Sequence, residues 1–315
     1  VHETDQGEET VEIEQHRGNL QCLRCHAVEP ATKVDRSSSH DDRMAHFDTA
    51  DSARATPIAS QAMRSGFVTL VGRPNVGKST LLNAVCGSKV SIVSDKPQTT
   101  RRQVRGVLTR SDAQIVFVDT PGLHKPVTAL GERVNAAAIE ALADVDVAIL
   151  VIDGSMPFGS GDRWVASRLD PAKTVVVVNK TDRAGRDRTL AQLAASAELD
   201  AVAYFPVSAK KGEGIDALIE HVVSMLPEGP MFYPDDVVSD VPESEWVAEL
   251  VREQLLAMFR EELPYSIATR VTEWEWPRVR CEIIVERESQ KGMVIGKGGA
   301  VLKEVGTRVR AQLPE

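Results

Sequence analysis

Between residues 66 and 226 the chain repeats one pattern. A short, nearly unbroken apolar run is followed by a polar turn and then by a stretch with apolar residues at helical spacing. The runs are FVTLV (67–71), IVFVD (115–119), VAILVID (147–153), TVVVVN (174–179) and VAYFPVS (202–208). Continuous and rich in β-branched residues, they predict strands buried on both faces. The intervening stretches 79–85, 132–142, 162–169, 188–197 and 215–226 predict helices. Strand and helix in alternation predict an α/β domain with a mostly parallel sheet covered by helices on both faces.

The pattern breaks at 226–245, where Pro227, Pro230, Pro234 and Pro242 stand among acids. That composition marks a linker. A helix is expected from 244–245 to about 263, because Val247, Leu250, Val251, Leu255, Met258 and Phe259 recur at helical spacing. Pro264 is its expected stop. Strands follow at 265–271 and 279–286. The second alternates, with Val279, Cys281, Ile283 and Val285 on one side and Arg278, Arg280, Glu282 and Ile284 on the other. A glycine loop and a last helix, about 300–312, complete the sequence. The expected divisions are thus a segment 1–62, a first domain 63–228, a linker 229–244 and a smaller α+β domain 245–315.

Residues 1–62 show no sustained period and hold five of the seven histidines. Too little apolar surface is available to offset chain entropy, so disorder is expected. Met63 reads as the natural start, with the preceding segment as an over-long reading frame. The segment contains Cys22-Leu23-Arg24-Cys25-His26, the C-x-x-C-H pattern of covalent haem attachment. No export signal accompanies it and zinc would need two further ligands, so a chance pattern is expected and no haem.

Composition adds bounds. Hydrophobic residues make up 42% and charged residues 26%, enough apolar content for a sizeable core. No apolar run reaches the roughly 18 residues a membrane span needs. No signal-peptide core is visible, and a cytoplasmic protein is expected. Four cysteines are too few and scattered for a disulfide framework. The net charge of −9 is unevenly spread: residues 1–62 carry 12 acidic and 6 basic residues, while 287–310 carry 6 basic and 2 acidic. The basic end can bind phosphate even on an acidic chain.

Four loops at predicted strand ends carry chemistry. Gly72-Arg73-Pro74-Asn75-Val76-Gly77-Lys78-Ser79 fits G-x-x-x-x-G-K-[ST] between a strand and a helix, the context that the motif requires. Its glycines let backbone N–H groups curl around phosphates. Lys78 and the helix N-terminus add positive charge, and Ser79 offers a hydroxyl to Mg2+. Asp119-Thr120-Pro121-Gly122 supplies a carboxylate for that ion and an amide, at Gly122, for a γ-phosphate. In Asn179-Lys180-Thr181-Asp182, the Asp182 carboxylate can accept from guanine N1–H and its 2-amino group. Adenine would leave it unpaired at a cost of several kcal/mol, by order of magnitude. Asn179 is expected to tie this loop to the phosphate loop, with Lys180 lying over the base. The amide of Ala209, within Ser208-Ala209-Lys210, can meet guanine O6. Together the four predict GTP and GDP binding at the carboxyl edge of the sheet. Leu123 stands where many GTPases have a water-orienting glutamine. Asn75 suggests another source of charge, a K+ ion near the β- and γ-phosphates.

These motifs, with KPQTTR (96–101), ELPYSIATRV (262–271), VERESQKGMVIGKGG (285–299) and LKEVGTRVR (302–310), resemble the Era family of bacterial GTPases over about 66–310. The resemblance implies hydrolysis of GTP to GDP and phosphate. It selects Thr100, which precedes Arg101, as the threonine that completes the Mg2+ shell. It also implies a type II KH domain binding the 3′ end of 16S ribosomal RNA during small (30S) subunit assembly, with peripheral association at the inner face of the cell membrane. Gly296-Lys297-Gly298-Gly299 then matches G-x-x-G, which clamps the backbone of about four unpaired nucleotides. Lys291, Arg287, Lys297 and Lys303 would supply charge, and Ile295 with the 279–285 strand face an apolar groove for bases. From the residues alone, a glycine turn on a solvated basic face reads equally well. A type II KH domain ends on a strand, yet 300–315 has room for one helix. The second domain is therefore expected to be C-terminally incomplete, with a two-stranded sheet that is marginal unless covered. The alternative that follows is a guanine-nucleotide-binding fragment that no longer binds RNA.

Overall fold

The computed structural model describes residues 9–16, 19–21, 26–27, 63–96, 99–101, 103–119, 145–260 and 263–313. Three strands come first, β1 (Glu9–His16), β2 (Asn19–Gln21) and β3 (His26–Ala27). The first domain then runs β4 (Arg64–Val71), α1 (Lys78–Cys86), β5 (Val104–Thr109), β6 (Ala113–Asp119) and β7 (Val147–Asp153). It continues through α2 (Ser160–Ala166), β8 (Thr174–Asn179), α3 (Thr181–Ala184), α4 (Arg186–Ser196), β9 (Ala203–Pro206) and α5 (Ile215–Met225). The helix expected at 132–142 lies outside the described residues.

Six strands order as β5-β6-β4-β7-β8-β9, all parallel except β5 against β6. Successive side chains of a strand point to opposite faces, and the core divides accordingly. Val68, Leu70, Ile115, Phe117, Ile149 and Val177 pack on Leu81 and Leu82 of α1 and Leu218 and Val222 of α5. Val71, Leu150, Ile152, Val176 and Val178 pack on Phe158 and Val165 across the other face. Each such buried branched chain stabilises the fold by ~1.5–3 kcal/mol.

Strand β5 was not anticipated. Arg105 and Gly106 interrupt its apolar pattern, and its form comes from antiparallel pairing with β6. Gly106 is required there, since a Cβ would lie 2.8 Å from Leu82 Cδ1 and Cys86 Sγ of α1. The linker straps this side of the sheet. Val107 N donates to Val238 O at 2.9 Å, and Gln114 holds the backbone of Phe232 and Tyr233 through both amide atoms. Phe232 also packs on Phe67, with ring centroids 4.8 Å apart.

The second domain runs α6 (Glu243–Met258), β10 (Ile267–Glu275), β11 (Arg278–Val285), α7 (Glu288–Ile295) and α8 (Ala300–Arg310). Helix α6 ends short of the expected stop, because Phe259 is already extended (φ −101°, ψ 156°). Helix α7 had no clear apolar stripe. Only Gln290 and Val294 of it are buried, and Gln290 Oε1 caps its start by accepting from Arg287 N at 3.1 Å. Leu250, Val251, Leu255, Ile267, Ile283, Val294, Leu302 and Val305 form the core.

Two expectations change here. Residues 1–62 were expected to lack regular structure, yet β1 pairs antiparallel with β11, from Glu9 opposite Val285 to Ile13 opposite Cys281. The second sheet is therefore not two-stranded: its order is β10-β11-β1-β2, with β3 also on β1. The reason is physical. Strand β1 draws its backbone partners from residues some 270 positions away, and a segment shaped by a distant sheet edge carries little local periodicity.

Candidate functional site

The carboxyl edge of the first sheet gathers the predicted loops. Strand β4 ends at Val71, and the chain turns under the sheet at Gly72, whose Cβ would lie 2.3 Å from Val151 O. Asn75 and Gly77 take positive φ (63° and 98°), closing the loop onto α1. Lys78 is 6% exposed, and its Nζ donates to the carbonyls of Gly72 and Arg73 at 3.2 Å each. Burial pushes its pKa down to about 8, with Asp119 opposing. A buried ammonium held only by carbonyls suits an incoming anion.

Beside it, Ser79 Oγ donates to Asp119 Oδ2 at 2.8 Å and lies 3.1 Å from Thr100 Oγ1. Thr100 Oγ1 also donates to Asp119 Oδ2 at 3.3 Å. Thr99 turns elsewhere, its Oγ1 donating to Lys96 O at 2.7 Å. Asp119 is buried, which raises its pKa, and its Oδ1 is buried with no hydrogen-bond partner. The Ser79 and Thr100 hydroxyls gathered on Oδ2, beside an Oδ1 left without a partner, make a hard oxygen set that fits Mg2+.

The base-side loops converge on the same edge. Asn179 Nδ2 donates to Val76 O and its Oδ1 accepts from Ala209 N, each at 3.0 Å. One side chain thus joins the 72–79, 179–182 and 208–210 loops. Lys180 Nζ donates to Asn75 O at 2.5 Å and pairs with Asp153 Oδ2 at 2.7 Å. Ser208 Oγ donates to Asp182 Oδ1 at 2.8 Å, fixing that carboxylate. Arg73 Nε lies 3.1 Å from Asp162 Oδ1. Asn75 Nδ2 donates to Asp95 O at 2.8 Å, and Pro74, Asn75, Gly77, Lys78, Ser79, Thr99 and Thr100 line one cleft. Thr120, Pro121, Gly122 and Leu123 lie outside the described residues, as do Cys22 and Cys25.

Sequence reasoning missed Asp153 and Ser91. Asp153 ends β7 and anchors Lys180. Burial pushes its pKa up, but hydrogen bonds from Lys180 and Ser155 outweigh that and hold it below the usual carboxylate range. Its place at a strand end was the available signal. Ser91 Oγ donates to Asp119 Oδ2 at 3.2 Å from a loop that carries no motif.

The second glycine loop joins α7 to α8. Gly296 (φ 73°) leaves no room for a Cβ, which would lie 2.6 Å from Val301 Cγ2. Gly298 and Gly299 also take positive φ but face open space. Lys297, Lys303 and Arg287 are exposed, and Lys291 Nζ lies 3.9 Å from Glu288 Oε1. The expected apolar groove is corrected. Val279, Cys281, Ile283 and Val285 are buried in the domain core, and Ile295 is half-buried against it, so this strand face is closed to bases. Burying four apolar residues stabilises the domain more than exposing them to a ligand would.

Comparison with known proteins agrees with both halves. Residues 67–180 match the family described as 50S ribosome-binding GTPase, and residues 262–315 match the KH domain. The chain is 48% identical over 264 residues to the GTPase Era of Mycobacterium tuberculosis (strain H37Rv), covering 79% of this chain and 88% of that protein. It is likewise 48% identical over 263 residues to the GTPase Era of Mycobacterium avium (strain 104), with the same coverage. Among solved structures, a single-residue variant of Aquifex aeolicus Era bound to GDP·AlF4− superposes with a TM-score of 0.74 at 37% identity. Era in complex with MgGDPNP and nucleotides 1506–1542 of 16S ribosomal RNA gives 0.74 at 38%. Each covers 79% of this chain and 88% of the solved one. The architecture is a P-loop GTPase domain followed by a KH domain.

Proposed function

The chain belongs to the Era family of GTPases, and from that premise we propose that it hydrolyses GTP at the 72–79 loop and reads the 3′ end of 16S ribosomal RNA with its KH domain. The observation that carries the nucleotide half is the Ser79–Thr100–Asp119 oxygen cluster with its orphaned Oδ1. Ser79 and Asp119 would hold Mg2+ with either nucleotide, and Thr100 would add its hydroxyl when the γ-phosphate is present. When bound, the ion neutralises charge on the β- and γ-phosphate oxygens. Lys78 and the amides of Gly77, Lys78 and Ser79 orient the same phosphates. Asp182, held by Ser208, accepts from the guanine N1–H and 2-amino group. Gly122 supplies an amide to the γ-phosphate. Asn75 is read as the residue that brings a K+ ion to the phosphates, and equal turnover in sodium and potassium salts would exclude it.

The KH half rests on the exposed 296–299 loop and its basic neighbours, and on the relative solved with 16S ribosomal RNA. Its work is assistance in small-subunit assembly, in the cytoplasm. Among the described residues no helix is long and apolar enough to cross a membrane.

The test is fluorescence anisotropy of a single-stranded RNA carrying a 16S 3′-end sequence, with a GTP analogue or GDP, against Gly298→Asp. Salt-sensitive binding, lost in the variant while nucleotide binding persists, is the expected result. Absence of binding by the unaltered chain with nucleotide binding intact would instead mark a GTPase whose KH domain does not engage RNA.

A further inference from the structure

Thr100 is flanked by two residues that the KH domain holds. On one side, Thr99 O accepts from Arg252 Nη2 of α6 at 2.6 Å. On the other, Arg101 reaches across the domain boundary. Its Nη1 donates to Ile267 O at 2.7 Å, and its Nη2 to Tyr265 O at 3.0 Å and Pro264 O at 3.3 Å. Arg252 is 2% exposed, and Glu249 grips its head at Nε (3.0 Å) and Nη2 (2.5 Å). The anchor is thus preset within α6 before it meets Thr99.

A packing contact between domains has no need of this arrangement. Two arginines meet at this boundary, Arg252 buried within α6 and Arg101 bonded across it. Bringing two cations together at a partly desolvated boundary is unfavourable unless acceptors offset it, and the offset is incomplete at Arg252 Nη1, which is buried with no partner among the described residues. Arg101 gives Nη1 and Nη2 to backbone carbonyls of 264–267, and Arg252 gives Nη2 to Thr99 O as well as to Glu249, so both fix positions along the chain. The residue between the two fixed points places its hydroxyl 3.1 Å from Ser79 Oγ and 3.3 Å from Asp119 Oδ2.

We propose that Arg101 and Arg252 are positioning residues for GTP hydrolysis, through which the KH domain holds Thr100 at the magnesium site. The proposal rests on the reading of Thr100 as a Mg2+ ligand in the GTP state. Neither arginine lines the cleft at the 72–79 loop; each acts through the backbone beside Thr100. The hydrolytic site is then completed by the second domain. A separate boundary contact, Lys89 with Glu253 and Gln312, docks the domains without touching residues 99–101.

The experiment uses the full chain and measures GTP turnover against Mg2+ concentration, with GDP affinity alongside. Arg101→Ala and Arg252→Ala should each raise the Mg2+ needed for half-maximal turnover by about tenfold, the scale of a hydrogen bond to a charged group. GDP affinity should stay within about twofold. Arg101→Lys should recover only part, since one ammonium cannot span three carbonyls. Thr100→Ala should show the same shift, and Thr100→Ala with Arg101→Ala should be no worse than Thr100→Ala alone, the non-additivity of one shared path. Lys89→Ala should leave the Mg2+ dependence unchanged. Unchanged Mg2+ dependence in both arginine variants, with Thr100→Ala shifted, would overturn the proposal. An equal shift in Lys89→Ala would also overturn it, by assigning the effect to docking in general. No shift in Thr100→Ala would instead remove Thr100 from the metal site, and the proposal with it.

Discussion

Two loops of this protein set a lysine among glycines at the start of a helix, and they have opposite physical characters. Lys78 is buried, bonded to the carbonyls of Gly72 and Arg73, with a pKa pushed down to about 8. Lys297 is exposed on a turn whose Gly298 and Gly299 face open space. The first loop sits at the end of a central strand of the six-stranded sheet and is pinned from the side by Asn179. The second bridges two helices on the surface. A desolvated ammonium interacts strongly, at short range and with one geometry. A solvated one contributes attraction that salt screens and that tolerates many backbone arrangements. The first character suits a triphosphate of fixed shape, and the second suits a strand of RNA.

The sharpest way to break this comparison is to remove each amine in turn. Lys78→Ala should lower GTP affinity by about 100-fold or more, the scale of truncating a buried charge contact, in a fluorescent-nucleotide titration. RNA binding by the nucleotide-free chain should stay within about twofold. Comparable losses in both assays would erase the distinction.

The glycines come next. Gly77→Ala places a Cβ 2.4 Å from Asn179 Nδ2 at a φ of 98°, straining the backbone by ~1–3 kcal/mol. GTP affinity should fall by about tenfold in the same titration. Gly296→Ala meets Val301 Cγ2 at 2.6 Å and Val301 N at 3.0 Å. RNA affinity should fall by a similar factor of about ten while GTP turnover persists. A Gly296→Ala chain that binds RNA normally would show that the loop's conformation is not what RNA reads.

The smallest effect sharpens the comparison most. Lys297→Ala should weaken RNA binding by only about threefold, and should reduce the slope of log affinity against log salt by about 0.7, one phosphate contact on a single strand. A loss that is independent of salt would place Lys297 with Lys78 rather than apart from it.

Much of this was legible beforehand, for identifiable reasons. Strands β7 and β8 fall on their expected limits, because a strand buried on both faces must be continuously apolar. The loops 72–79 and 179–182 were legible because phosphate and guanine each demand specific groups at fixed spacing. Strand β5 was not, since Arg105 and Gly106 are there for a strap and a close helix rather than for a strand. The apolar face of β11 was read correctly as a face but assigned to bases, when α6, α7 and α8 cover it. Strand β1 was illegible, because Val11 and Ile13 amount to only two apolar steps and the partner strand lies at 278–285.

By itself, then, the sequence determined the α/β alternation and the loop motifs at its strand ends. Those features are set by side-chain periodicity and by ligand chemistry, and both are written locally. Tertiary structure alone decided which lysine is buried, that Asn179 ties three loops together, that Arg101 and Arg252 bond the residues on either side of Thr100 to a second domain, and that β11 takes β1 as its neighbour. Each of these depends on groups far apart in the chain meeting in space, and the strength of a charge or hydrogen bond is fixed by the surroundings it meets there rather than by the residues beside it in sequence.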